Sequence, residues 1–156
     1  MIKVSVFQKY ILNLTLVIVL LVFASCNNDD CDECFTPPQE FTFEIVDAES
    51  GENLFTNGTF TPETIKITNT LDDSERTFRF FSEDQINLIQ IFEIGWETEI
   101  VNLEISVGNE TLFSLYVDAQ RTIEDCCSFT EFKEITIQNS EFEFNSESGV
   151  YTIFVE

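Results

Sequence analysis

From Phe41 onward, apolar and polar residues alternate one by one in short runs, and this period of two constrains the fold more than any other feature. Phe41, Phe43 and Ile45 alternate with Thr42, Glu44 and Val46, while Val101, Leu103, Ile105 and Val107 alternate with Asn102, Glu104 and Ser106. Shorter versions recur at Ile65 and Ile67, Phe78 and Phe80, Phe113 to Val117, Ile135 and Ile137, Phe142 and Phe144, and Tyr151 to Val155. A strand sends successive side chains to opposite faces, so each run offers one face to a core and one to water. Turn-forming pairs separate the runs: Ser50-Gly51, Asn57-Gly58, Asp72-Asp73, Gly108-Asn109 and Ser148-Gly149. Seven to nine strands at near-regular spacing predict one all-β domain over residues 41–156, a single antiparallel β-sandwich.

One segment resists this reading. Ser82 with Gln85 has the spacing of a capping box for a short helix, yet Ile86, Leu88, Phe92 and Ile94 also fit period two. The frequency of β-branched residues favours a strand. Of 17 phenylalanines, all but Phe7 and Phe23 follow Cys26, so a core of this size is well supplied with large apolar side chains. Those rings are core material first and need no ligand to explain them.

The N-terminal end follows another logic. Lys3 and Lys9 precede an apolar run, Ile11 to Phe23, and then Ala24-Ser25-Cys26. That order of basic, apolar and small residues is a secretory signal peptide, and the run is too short to span a bilayer, which needs roughly 20 apolar residues. With a cysteine directly after the small pair, residues 1–25 resemble a bacterial lipoprotein signal, although Phe23 stands where that family usually has Leu. The resemblance implies that Cys26 is lipidated on sulfur and becomes the first mature residue. The following Asn27-Asn28-Asp29-Asp30-Cys31-Asp32-Glu33 resembles the export tag of surface lipoproteins of the Bacteroidetes type. Residues 26–40 are thus expected to be a lipidated acidic tether. The expected location is the outer membrane at the cell surface, with a periplasm-facing position as the alternative.

Charge narrows the partners. The chain carries 29 acidic residues, and beyond the signal its only bases are Lys66, Arg76, Arg79, Arg121 and Lys133. Nucleic acid is excluded, because binding it requires neutralising Lys and Arg. Anionic headgroups repel such a body, so contact with the membrane is expected through the lipid alone. The partner is expected to be another envelope protein.

Cys31, Cys34, Cys126 and Cys127 remain after Cys26 is set aside. In an oxidising compartment four cysteines read as two disulfides. Bonding Cys126 to its neighbour would need a strained ring, so two bridges are expected from the Cys31/Cys34 pair to the Cys126/Cys127 pair, in either order. A zinc site built from all four thiolates is disfavoured, because adjacent cysteines seldom both ligate one ion. Redox catalysis at Cys31-Asp32-Glu33-Cys34 is disfavoured as well, since two carboxylates inside the motif oppose a thiolate.

The segment Phe43-Glu44-Ile45-Val46-Asp47-Ala48-Glu49-Ser50-Gly51-Glu52-Asn53-Leu54 resembles the first hairpin of carboxypeptidase-regulatory-like, prealbumin-type β-sandwiches. That resemblance implies an accessory or binding module, and the sandwich is accordingly expected to be Ig-like or prealbumin-like. The chain has no histidine, which removes the Ser-His-Asp and Cys-His nucleophile systems and histidine-based zinc hydrolases. No Gly-rich phosphate loop occurs. An enzyme is not expected. Asp72-Asp73 with Glu75, and Glu49 with Glu52, are the candidate ligands for Ca²⁺, an ion that takes six to eight oxygens, although neither set has the spacing of a calcium loop. Trp96, the single tryptophan, follows Gly95 at a turn and is either packed on the core edge or offered as a ligand platform.

These features together describe a lipid-anchored, disulfide-stapled, non-enzymatic binding or scaffolding protein of the cell envelope, a subunit or accessory factor of an envelope assembly. The alternative is a surface module for glycan- or calcium-dependent adhesion or capture.

Overall fold

The computed structural model describes residues 34–124 and 127–156. The signal segment, Cys26, the acidic segment, Cys31 and Cys126 lie outside the described residues. Within them the chain is all-β, with eleven strands in two sheets. The strands are β1 (Cys34–Phe35), β2 (Phe41–Asp47), β3 (Ile65–Asn69), β4 (Ser74–Glu75), β5 (Arg79–Phe81), β6 (Leu88–Ile91), β7 (Glu99–Val107), β8 (Glu110–Glu124), β9 (Cys127–Gln138), β10 (Glu141–Asn145) and β11 (Val150–Val155). Sheet A runs β1-β9-β8-β7-β3-β4 and sheet B runs β10-β11-β2-β6-β5.

The sheets are mixed, which corrects the expectation of purely antiparallel pairing. β2, the first long strand, pairs in parallel with β11, the last, through Thr42↔Val150 to Asp47↔Val155. β1 also pairs in parallel with β9, through Cys34↔Cys127 and Phe35↔Ser128. No hairpin links either couple, so no tight turn forces an antiparallel direction on them. Two of the eleven strands, β1 and β4, have only two residues, too few for alternation to reveal. The ambiguous segment divides: Glu83–Gln85 is a 3₁₀ turn with no side-chain cap bond from Ser82, and Leu88–Ile91 is a strand.

The alternation places the core where the sequence puts it. Phe41, Phe43 and Ile45 of β2, Val101, Leu103 and Ile105 of β7, and Leu115 and Val117 of β8 are fully buried. The two sheets meet face to face through rings, giving a sandwich-like body. Phe43 of sheet B lies 4.9 Å from Phe113 of sheet A, and Phe41 meets Phe132 edge-on at 5.6 Å. Where the pattern breaks, a bulge explains it. The β7–β8 register shifts between Ile105 and Ser106, which lets the adjacent Leu112 and Phe113 both turn inward. The two-residue loop Gly108-Asn109 closes that hairpin with Gly108 at φ +63°, a position that glycine takes without steric cost.

Candidate binding cleft

Between β6 and β7 the chain turns at Gly95, and this turn fixes Trp96. Gly95 has φ +89°, and a Cβ there would sit 2.8 Å from the Thr130 methyl, so any other residue is strained and displaces Thr130. Its N–H donates to Glu99 Oε1 at 2.9 Å, and its carbonyl accepts from Thr130 Oγ1 at 2.5 Å. Glu99 is held in turn by Arg76 at 3.2 Å, with about a fifth to a quarter of each side chain exposed (24% for Arg76, 21% for Glu99). The turn is bolted from both sides.

Two contacts orient Trp96. Its indole N–H donates to the Phe92 carbonyl at 3.0 Å, and its ring stacks on Phe35 at 5.6 Å and 24°. The Arg121 guanidinium lies 5.0 Å from the centroid of the Phe35 ring, within cation–π range. Arg121 also donates to the Thr36 carbonyl at 3.0 Å, to Thr130 Oγ1 at 2.8 Å and to Ser128 Oγ at 3.0 Å. The Cys34–Cys127 disulfide, with a Cα–Cα distance of 4.4 Å, ties β1 to β9 just before Phe35. The bridge excludes any connectivity that joins Cys34 to another cysteine. Trp96 remains 48% exposed, so it is a supported surface ring rather than a core residue.

The indole lines a cleft of about 570 Å³ at one end of the outer face of sheet B. Pro37, Pro38 and Trp96 line it together with Thr42 of β2, Gln90 of β6 and Ser148 of the β10–β11 turn. Glu40, Phe92 and Gly149 complete the lining. The Phe92 ring carries the Arg79 guanidinium at 4.1 Å, and Arg79 reaches Glu40 at 3.8 Å. An apolar surface with a few convergent polar groups is the usual composition of a small-molecule site. A hollow of about 470 Å³ near the β7–β8 and β9–β10 turns is lined by Glu110, Glu141, Glu156 and Phe154 and contains no tryptophan. The Trp96 cleft is the better-built site.

The acidic candidates are not brought together. Asp72 accepts from the Ser74 N–H at 3.0 Å and from its hydroxyl at 2.6 Å, and these bonds hold its pKa below the ordinary value. Asp73 takes φ +58° in the same turn, and Glu75 points to Lys66 at 3.4 Å. Among the described residues no group of three acidic or sulfur side chains is placed to hold a metal ion. The Asp72–Ser74 stretch is a self-capped turn.

Sequence reasoning singled out Trp96 but not Phe35, Glu99, Arg121 or Thr130, which hold it. Gly95 directly before the tryptophan was the available signal. No known protein family, curated protein or solved structure matches the chain.

Proposed function

We propose that this chain is a lipid-anchored, non-enzymatic capture module of the outer membrane, held through Cys26, that binds a neutral glycan in the Trp96 cleft. The observation that carries the reading is the fixed, half-exposed indole. Its N–H already serves the Phe92 carbonyl, so the ring offers an apolar face and no donor. Such a face suits the C–H side of a sugar ring, and Glu40, Gln90, Thr42 and Ser148 suit its hydroxyl rim. A surplus of acids, 29 against 7 bases, disfavours anionic ligands. Calorimetry of the intact chain against neutral glycans tests this reading. Saturable binding that Trp96→Ala abolishes supports it, and binding that survives Trp96→Ala sinks it. The anchor is tested separately by fatty-acid labelling, which Cys26→Ser should abolish. Protease access on intact cells then separates surface display from a periplasm-facing position.

A second reading, a subunit of an envelope assembly, is favoured by the sheet edges. β1 covers only Cys127 and Ser128 of β9, so from Phe129 onward that edge has no strand partner among the described residues. β10 is exposed throughout, with Phe142 at 43% and Phe144 at 48%. An edge of this kind accepts an added strand. Against it, β9 carries a bulge at Lys133, opposite the Asp118–Ala119 step, and bulges and lysines blunt edge pairing. For this reason the cleft takes precedence.

A further inference from the structure

The Trp96 cleft does not end at Thr42. The next outward residues on the same strands, Glu44 of β2, Leu88 of β6 and Thr152 of β11, line a second depression of about 320 Å³. The ladder fixes their relation: Thr42 pairs with Gln90 and Val150, and Glu44 pairs with Leu88 and Thr152. One pair of residues separates the two levels, a rise of about 7 Å along the strand. Ser148 borders both depressions. Ile86, 51% exposed, supplies an apolar surface beside the hydrogen-bonding side chains of Glu44 and Thr152.

Resting on the reading of the Trp96 cleft as a sugar site, we infer that the two depressions are consecutive subsites for one linear, neutral oligosaccharide laid along β2 and β11. Three observations select that occupant. Each depression combines an apolar surface with polar side chains, as a polymer with ring faces and hydroxyl rims requires. Glu44 in the second depression repels an anionic polymer, and in the first the Arg79 charge is already met by Glu40. β2 and β11 are interior strands with a neighbour on either side, so their backbones have no open ladder for a peptide strand. Only side chains are available there, and they are arranged in a line.

The experiment is a calorimetric length series on the intact chain, purified in detergent. The probes are β-1,4-linked glucose, β-1,4-linked mannose and α-1,4-linked glucose oligomers, from disaccharide to hexasaccharide. For the series that binds, affinity should rise at least about tenfold between the shortest and longest members. In the double variant Ile86→Ser, Thr152→Lys, which removes the apolar surface and fills the second depression, the ratio of long- to short-oligomer affinity should fall to about one. Equal affinity at all lengths overturns the extended site and leaves the Trp96 reading standing, and so does a length gain that survives the double variant. Absence of binding by all three series overturns both.

Discussion

Breaking the Cys34–Cys127 bridge acts on two levels, and one experiment separates them. The bonded residues are 93 positions apart, so the chain-entropy account assigns about 4.6 kcal/mol to closing that loop in the unfolded state. With a urea dependence of about 2 kcal/mol/M, the unfolding midpoint should fall by about 2 M. The comparison is best made with Cys31→Ser and Cys126→Ser in both proteins, so that a single bridge is present or absent. The second effect is local. Without the bridge, β1 is held to β9 by two residue pairs and the Arg121 contacts, and Phe35 under Trp96 loses its covalent neighbour. Acrylamide should therefore quench Trp96 more strongly in the Cys34→Ser, Cys127→Ser protein before any urea is added. A midpoint shift below about 0.5 M would refute the loop-closure reasoning. Unchanged quenching would show that β1 holds its place without the bond, and that the bridge does not position the indole.

Gly95→Ala should destabilise the protein by about 1–3 kcal/mol, because it combines a left-handed backbone with a 2.8 Å approach to Thr130, and thermal unfolding checks it. Phe43→Ala, at a fully buried ring between the sheets, should cost about 3–5 kcal/mol in the same assay. Asp47 and Asp72 titrate below the ordinary value of 3.8 because Ser50 and Ser74 respectively donate to them. Their contribution to stability is thus complete above pH 3.8 and is lost as pH falls through the depressed folded values. In a carboxyl NMR titration, Ser50→Ala should raise the Asp47 pKa and Ser74→Ala the Asp72 pKa. No movement in either would remove the serine hydroxyls as the cause.

Alternation made the strands legible because inward residues are mostly apolar, Asn69 of β3 being a buried polar one: Phe41, Phe43, Ile45, Val101, Leu103 and Ile105 are read in sequence and found in the core. Alternation assigns faces, however, and not neighbours. Nothing in Tyr151-Thr152-Ile153 says that its partner is Phe43-Glu44-Ile45, or that the two run the same way. Cys34-Phe35 is too short to show any period, and Pro38, buried beside it, reads in sequence as a breaker. The cleft was legible only at its centre. Gly95-Trp96 marked a turn with a ring, but the groups that fix it, Arg121 and Thr130, lie 26 and 35 positions after Gly95 (121 − 95 and 130 − 95). Their convergence is a product of sheet A's register, which one-dimensional spacing does not encode.

The parallel contact between β2 and β11 sets an order of assembly. Thr42 and Val150 are partners 108 positions apart (150 − 42). β7, β8 and β9 follow one another in the chain and can zip by consecutive hairpins, whereas β2 acquires one of its two neighbours only from the last strand. A chain delivered from its N-terminus thus presents β2 with a vacant flank until β11 has emerged. Contacts of such long sequence separation form late and leave strand edges exposed meanwhile. Completion of sheet B therefore waits for β11, while the hairpins of β7, β8 and β9 can form before it.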